Sequence, residues 1–417
     1  MRLLVPQQQI EITHSIQQCL LVAKQHGFAT EAISLGVSPN GQFELHNDQK
    51  EVIRISIDTT GAVTKAESVD WHFCYQFSAA EPLTVDDVRR QGWAANTIYI
   101  GLRDEQGYVD AWQHHGEVRA LSYLLGGVFS TEQHLAWVIS LLALDFPIED
   151  ALTFSHAQLN VSRETWANDF TKFPTPVLED PRLGVRVGWA ANAETVTFPD
   201  MDKHQVGLYP VVDNITWIER LLKLGINTVQ LRIKDPKTPD LEAQVKRAIE
   251  LGQEHQAQVF INDYWQLAIK HGAYGVHLGQ EDIEESNLSQ LAQAGICLGL
   301  STHGYYELLR IVQINPSYIA LGHIFPTTTK DMPSKPQGLV RLGHYQSLIN
   351  SIPYGPDFGY PTVAIGGIDL TNADQVWQCG VSSLAVVRAI TLADSPQQVI
   401  EQFEQIMQPM TEEAHAI

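Results

Sequence analysis

The stretch NTVQLRIKDPKTPDLEAQVKRAIELGQEHQAQVFIND, Asn227 to Asp263, decides the fold. It opens on a short apolar run, crosses a polar turn containing Pro236 and Pro239, and enters LEAQVKRAIELGQEH, whose apolar residues recur at helical spacing. A second apolar run, QVFIND, closes it. Short apolar runs bounded by turn residues read as strands, and apolar residues three and four apart read as one helix face. Strand, helix and strand in this order predict a βαβ unit with parallel strands.

The same alternation repeats outward in both directions. LYPVVD and WIERLLKLG precede the unit; YWQLAIKHG, YGVHLGQ, CLGLSTH, SYIALGHIF, PTVAIGG and SSLAVVRAI follow it. About eight strand and helix units in about 200 residues is the size of a (β/α)8 barrel. The strands are continuous apolar runs, as in a parallel sheet covered by helices on its outer face. Gly225, Gly252, Gly272, Gly295 and Gly380 close amphipathic runs, where a C-terminal cap needs a left-handed residue. A doubly wound open sheet is the competing fold, and the strand count favours closure.

The first half has a different pattern. A helix-like segment, QQIEITHSIQQCLLVAKQHG, leads into strand-like pieces (GQFELHND, EVIRISID, WHFCYQFS, NTIYIGLRDEQGYVDAW) and then a long helical region, TEQHLAWVISLLALDFPIEDALTFSHAQLNV. It predicts an N-terminal α/β domain over residues 1–165, without a complete nucleotide or metal signature. The proline-rich, aperiodic segment after it is expected to link the domains over 166–204, with the barrel at 205–411. The chain as a whole is α/β.

Composition narrows the function. A chain of 417 residues accommodates two domains, and its net charge of −21 disfavours nucleic acid and anionic membrane surfaces. No run reaches the roughly 20 apolar residues of a membrane span, and the N-terminus lacks a leader pattern, so a cytoplasmic protein is expected. The four cysteines have no CxxC spacing and read as buried thiols. Against this acidic background, local clusters of Lys and Arg suggest an anionic ligand.

Such clusters fall at the predicted strand ends, which in a barrel share one mouth. Gln230, Arg232 and Lys234 alternate along one strand and so share a face. Asn262 and Asp263 end the next strand, and His277, Gln280 and Asp282 follow the one after. Two carboxylates at successive strand ends, without matching Cys or His pairs, suit a hard cation such as Mg2+. The plainer reading makes each Asp a helix cap, which is common. Ser301 ends CLGLS; Thr327, Thr328, Thr329 and Lys330 then form a polar loop stiffened by Pro326, Pro333 and Pro336. Gly366, Gly367 and Arg388 stand at the seventh and eighth strand ends, where barrels often hold phosphate. The pattern implies two phosphorylated substrates. No nucleophile has a paired base, which points to catalysis by positioning and charge neutralisation.

The motifs QLRIK, NDYW, VHLGQED, STH, PTTTK, AIGGI and VVRAI, in this order between about Gly207 and Glu404, resemble those of thiamine-phosphate synthases. The resemblance implies a TIM barrel that joins a hydroxymethylpyrimidine diphosphate to a thiazole phosphate, releasing pyrophosphate through a dissociative step. It implies Mg2+ at Asp263 and Asp282, with the diphosphate held by Arg232, Lys234, Asn262, Ser301 and Lys330. Gln230 and His277 would lie near the pyrimidine; Thr327, Thr329, the Gly367 amide, Val387 and Arg388 would hold the thiazole phosphate. Arg388 departs from the family, which often has a small residue there. A guanidinium at this position could grip the phosphate with two hydrogen bonds or point to solvent.

The first half faintly resembles the C-terminal part of ribokinase-like hydroxymethylpyrimidine-phosphate kinases around LLGGVFSTEQHLAWVISLLALDFPIEDALTFSHAQL. GGVFST lacks that family's anion-hole motif, so a degenerate scaffold or dimerisation unit is expected and a second kinase activity is not. A non-catalytic sensor of thiamine precursors is the alternative from another class, disfavoured because every charged motif is present. The expected partners are two phosphorylated small molecules, with no nucleic acid and no membrane, and homo-oligomerisation is left open.

Overall fold

The computed structural model describes residues 1–47, 49, 51–60, 69–114, 116–186, 196–327 and 335–408. Contacts divide the chain into two compact units, Met1–Ala191 and Asn192–Ile417.

In the first unit the strands are β1 (Arg2–Pro6), β2 (Ser34–Ser38), β3 (Phe43–His46), β4 (Val52–Asp58), β5 (Trp71–Tyr75), β6 (Thr97–Asp104), β7 (Gly107–His114), β8 (Glu117–Tyr123) and β9 (Thr175–Pro176). They form one mixed sheet in the order β2-β1-β3-β4-β5-β6-β7-β8-β9. The pairs β1–β2, β4–β5 and β5–β6 are parallel, and the far edge from β6 to β9 is antiparallel. A small ribbon, β10 (Glu179–Asp180) with β11 (Val185–Arg186), follows.

The helices of this unit are α1 (Ile12–Gln25), α2 (Val85–Gln91), α3 (Thr131–Ala143) and α4 (Ile148–Leu159). Helix α3 touches both α1 and α4 and is buried at every position from His134 to Ala143, as a helix apolar on all sides must be. The Ser130 hydroxyl caps it by accepting from the Gln133 N–H. The segment expected to be a linker is folded in its first part. Trp166 is buried against Phe28 and Phe154, and Leu183 and Val185 join the core beneath β5 to β8. Large apolar side chains hold these residues where proline content alone suggested a spacer.

The second unit is a closed barrel of eight parallel strands: β12 (Tyr209–Val212), β13 (Thr228–Leu231), β14 (Gln258–Asn262), β15 (Gly275–Leu278), β16 (Cys297–Thr302), β17 (Tyr318–Gly322), β20 (Thr362–Ile365) and β21 (Ser383–Val386). A ribbon of β18 (Pro353–Tyr354) and β19 (Asp357–Phe358) precedes the seventh staves. Its helices are α5 (Ile215–Lys223), α6 (Leu241–His255), α7 (Trp265–His271), α8 (Gln280–Glu285), α9 (Leu288–Gln293), α10 (Tyr305–Ile311), α11 (Gly338–Ile349), α12 (Ala373–Trp377), α13 (Arg388–Thr391) and α14 (Pro396–Ile406). The chain therefore contains the expected TIM barrel, and the open sheet is excluded.

Packing explains the barrel's glycines. Gly225, Gly272, Gly295 and Gly380 take the left-handed conformation expected of caps. Gly252 instead lies inside α6, where a Cβ would come within 2.6 Å of Val259 Cγ2, so its role is close helix-to-strand approach. Inside the barrel, Tyr318 packs edge to face with both Tyr209 and Phe260, with Phe260 and Tyr318 centroids 5.2 Å apart. Gly299 makes room for them: a Cβ there would stand 2.2 Å from the Tyr318 ring. At the amino-terminal ends of the strands, Met201 and Val206 join this core. The Tyr354 hydroxyl donates to the Ser317 carbonyl at 2.9 Å and accepts from the Met201 N–H at 2.7 Å, tying that segment in place.

Candidate active site

The side chains predicted to act together lie along the carboxyl ends of the barrel strands. Strand alternation carries Gln230, Asn262, His277 and Ser301 inward, in continuation of the positions held lower down by Tyr209, Phe260, Cys297 and Tyr318. Gln230, Asn262 and His277 are buried, and Ser301 is half-buried at the rim.

A continuous chain of hydrogen bonds runs through them. Gln230 Nε2 donates to the Tyr209 hydroxyl (3.2 Å), which meets the Tyr318 hydroxyl (2.8 Å); this meets His277 Nδ1 (2.7 Å), and His277 Nε2 meets Ser301 Oγ (2.8 Å). One orientation that satisfies every member runs from Gln230 through both phenols toward His277. His277 then accepts at Nδ1 and donates from Nε2, leaving the Ser301 proton free to point into the mouth. Burial, the largest effect, raises both phenol pKa values above their ordinary range, so the two tyrosines keep their protons. Ser301 is held from its other side too, because Gln280 Nε2 donates to its carbonyl at 2.6 Å.

Arg232 and Lys234 follow β13, and the Arg232 N–H bonds to the Val212 carbonyl at 2.7 Å. The Tyr264 hydroxyl donates to the Ile233 carbonyl at 2.8 Å, fixing this turn against the end of β14. Asp263 sits there with a left-handed φ of 64°, its N–H bonded to the His277 carbonyl at 3.0 Å. Asp282 Oδ2 accepts the Gly279 N–H at 3.1 Å, so this carboxylate does cap a helix, as the plainer reading held. That contact occupies one of its two oxygens. Asp263 and Asp282 are partly exposed carboxylates that follow neighbouring strands, the ligand type that suits a hard divalent cation.

Across the mouth, Gly366 and Gly367 have φ of 106° and 66°, and a Cβ on Gly367 would lie 2.7 Å from the Pro326 carbonyl oxygen. The glycine turn thus lies directly against the loop after β17, and the Phe325 N–H bonds to the Gly366 carbonyl at 3.0 Å. Thr327 is on that loop, half-buried. Thr328, Thr329 and Lys330 lie outside the described residues. Val387 precedes α13, and Arg388 begins it with an exposed side chain. Among the described residues neither Arg232 nor Arg388 forms an ion pair, whereas Arg310 near the same rim is neutralised by Glu284 at 2.7 Å.

Sequence reasoning missed Tyr209 and Tyr318. An aromatic residue early in a barrel strand reads as core, and its hydroxyl partners come from strands far apart in sequence.

A barrel whose mouth joins a carboxylate pair, unpaired arginines and a glycine turn belongs among the phosphate-handling (β/α)8 enzymes. Residues 208–390 match the family model described as thiamine monophosphate synthase. A thiamine-phosphate synthase of Proteus mirabilis (strain HI4320) is 57% identical over 195 residues, 47% of this chain and 87% of its own. One from Yersinia pestis (strain Pestoides F) is 54% identical over 208 residues, 50% of this chain and 93% of its own. A solved thiamine phosphate pyrophosphorylase from Pyrococcus furiosus aligns over 49% of this chain and 96% of its own, at 26% identity with a TM-score of 0.42. The chain belongs to the thiamine-phosphate synthase family, transferases of thiamine biosynthesis, through its C-terminal half. Among the described residues, no helix is long and apolar enough to cross a membrane.

Proposed function

We propose that the barrel mouth performs the family's condensation with two anion-binding regions on opposite sides of Ser301. Arg232, Lys234, Asn262 and Ser301 receive the pyrimidine diphosphate, together with Lys330. Thr327, Thr329, the Gly367 amide, Val387 and Arg388 receive the thiazole phosphate. Gln230 and His277 face the pyrimidine ring. Asp263 and Asp282 would hold Mg2+, whose charge, when bound, offsets that of the diphosphate.

The bond from the pyrimidine methylene carbon to the diphosphate oxygen breaks and its electron pair leaves with the diphosphate. The thiazole nitrogen then donates a pair to that carbon, giving thiamine phosphate and pyrophosphate. No side chain forms a covalent bond with substrate. Donors fixed before the reaction stabilise the charge that grows on the leaving oxygen.

The hydrogen-bond chain from Gln230 to Ser301 carries this reading, since in the orientation that starts from Gln230 the Ser301 hydroxyl keeps its proton for the leaving group. Purified protein given both phosphorylated substrates and Mg2+ should release one pyrophosphate per thiamine phosphate. Asp263→Ala should abolish the release; full turnover of that variant, or of the wild type after removal of divalent ions, would overturn the metal assignment.

A further inference from the structure

The first unit contains a cluster that the barrel chemistry does not use. Asp110 on β7, His134 on α3 and His156 on α4 are 0%, 0% and 4% exposed, and each offers a ligand atom within 4.8 Å of the other two. Asp110 Oδ1 accepts from the Gly101 N–H (2.9 Å) and the Tyr123 hydroxyl (2.7 Å), while Oδ2 meets His156 Nε2 at 2.6 Å. His134 Nδ1 meets the Tyr75 hydroxyl at 3.0 Å. Its Nε2 is buried and has no hydrogen-bond partner among the described residues.

No choice of tautomer satisfies that ring. If Tyr75 donates to Nδ1, Nε2 carries a proton with nothing to receive it. If Nδ1 donates to Tyr75, Nε2 is a bare lone pair closed off from water. A buried polar atom left this way has given up its bonds to water for nothing in return, and native interiors rarely keep one. A cation beside Nε2 removes the conflict: the lone pair binds it, and the Nδ1 proton goes to Tyr75, the usual outer partner of a metal-bound imidazole.

We propose that Asp110, His134 and His156 form a structural site for one divalent transition metal ion of the zinc class. Two imidazoles and a carboxylate favour zinc or its first-row neighbours over Mg2+ or Ca2+. Ligand distances of about 2.0–2.2 Å set donor atoms about 3.4 Å apart around a tetrahedral ion, so the Asp110 Oδ2 to His156 Nε2 contact of 2.6 Å opens to admit it, within the 4.8 Å that the cluster already spans. The ion takes the place of the proton between Asp110 Oδ2 and His156 Nε2, which moves to the other ring nitrogen or to solvent. Held by these three side chains, the ion clamps β7 to α3 and α4.

The test uses the full chain. Elemental analysis after dialysis should find about one zinc-class ion per chain beyond any removable Mg2+. After chelation, added Co2+ should produce visible ligand-field absorption that saturates at one equivalent and is lost in His134→Gln. In the wild type, hydrogen exchange with and without zinc should show protection confined to 107–114, 131–143 and 148–159. A metal-free wild type in which Co2+ gives no absorption overturns the proposal. So does zinc protection elsewhere in the chain, or cobalt absorption unchanged in His134→Gln. The wild-type measurements decide the matter even where a variant fails to fold.

Discussion

The two units each bury a polar network built around histidine and tyrosine, and the networks end differently. In the barrel, Gln230, Tyr209, Tyr318 and His277 pass hydrogen bonds in one direction to Ser301 at the rim. In the first unit, Asp110, His156, Tyr75 and His134 converge on a closed point where, among the described residues, one ring nitrogen has no partner. The difference teaches how to read buried polarity. A paired network with an outlet to a cleft orients a functional group; a cluster of metal-ligand atoms with a deficit and no outlet points to a missing ion.

The largest expected effect belongs to the open end. Arg232→Ala should lower kcat/KM by about 100- to 1,000-fold if the guanidinium acts as charge develops on the leaving group. A loss below about threefold would separate Arg232 from the chemistry. Next comes the closed end: Asp110→Asn leaves His156 without its carboxylate, and breaking a buried pair costs about 3–5 kcal/mol. Faster hydrogen exchange across α3 and α4 is the readout, and unchanged exchange would make this network ornamental.

Gly299→Ala should cost about 1–3 kcal/mol of barrel stability, as overpacking does, because the Tyr318 ring must move away from the new methyl group. Since Tyr318 also holds His277, kcat should fall in the same variant. Tyr318→Phe isolates the hydroxyl: the ring stays, the relay is cut and kcat should fall about tenfold, the equivalent of about 1.4 kcal/mol, while the thermal midpoint also falls because Tyr209 and His277 each lose a buried partner. A shifted midpoint with full activity would reverse the roles assigned to ring and hydroxyl.

The smallest effect is a pH dependence in the first unit. His72 is buried, its Nδ1 paired with the Ser56 hydroxyl at 2.8 Å, and burial holds its pKa below the ordinary imidazole value of 6.5. The unfolded chain therefore binds the extra proton first, and stability falls as pH drops through about 6.5 toward the lower folded value. Thermal unfolding in the presence of chelator, followed from about pH 7.5 to about pH 5.5, should show a steeper decline in the wild type than in His72→Gln.

The barrel was legible because its signals are local. Each apolar run became a staved strand, and Arg232, Asn262, Asp263, His277, Ser301 and Gly367 were placed at strand ends from sequence spacing alone. Gly252 was misread because a glycine near a helix end looks like a cap whether it turns the chain or lets Val259 approach. In the first half the helices α3 and α4 and several strands were readable, whereas β1, β2 and β8 were not singled out. The burial of Trp166 was hidden in a proline-rich stretch. Asp110, His134 and His156 were invisible as a group, since a strand and two helices bring them together and no spacing rule connects them.

The Tyr354 hydroxyl has a consequence for anyone who would cut the chain. The family match begins at residue 208, which invites truncation there. Such a fragment would lose Met201, whose N–H donates to Tyr354 and whose side chain fills the amino-terminal end of the barrel. Tyr354 would keep its bond to Ser317 but lose its donor, and a buried opening would replace the methionine. A minimal synthase therefore starts upstream of Met201, and a fragment starting at 208 should be the less heat-resistant of the two.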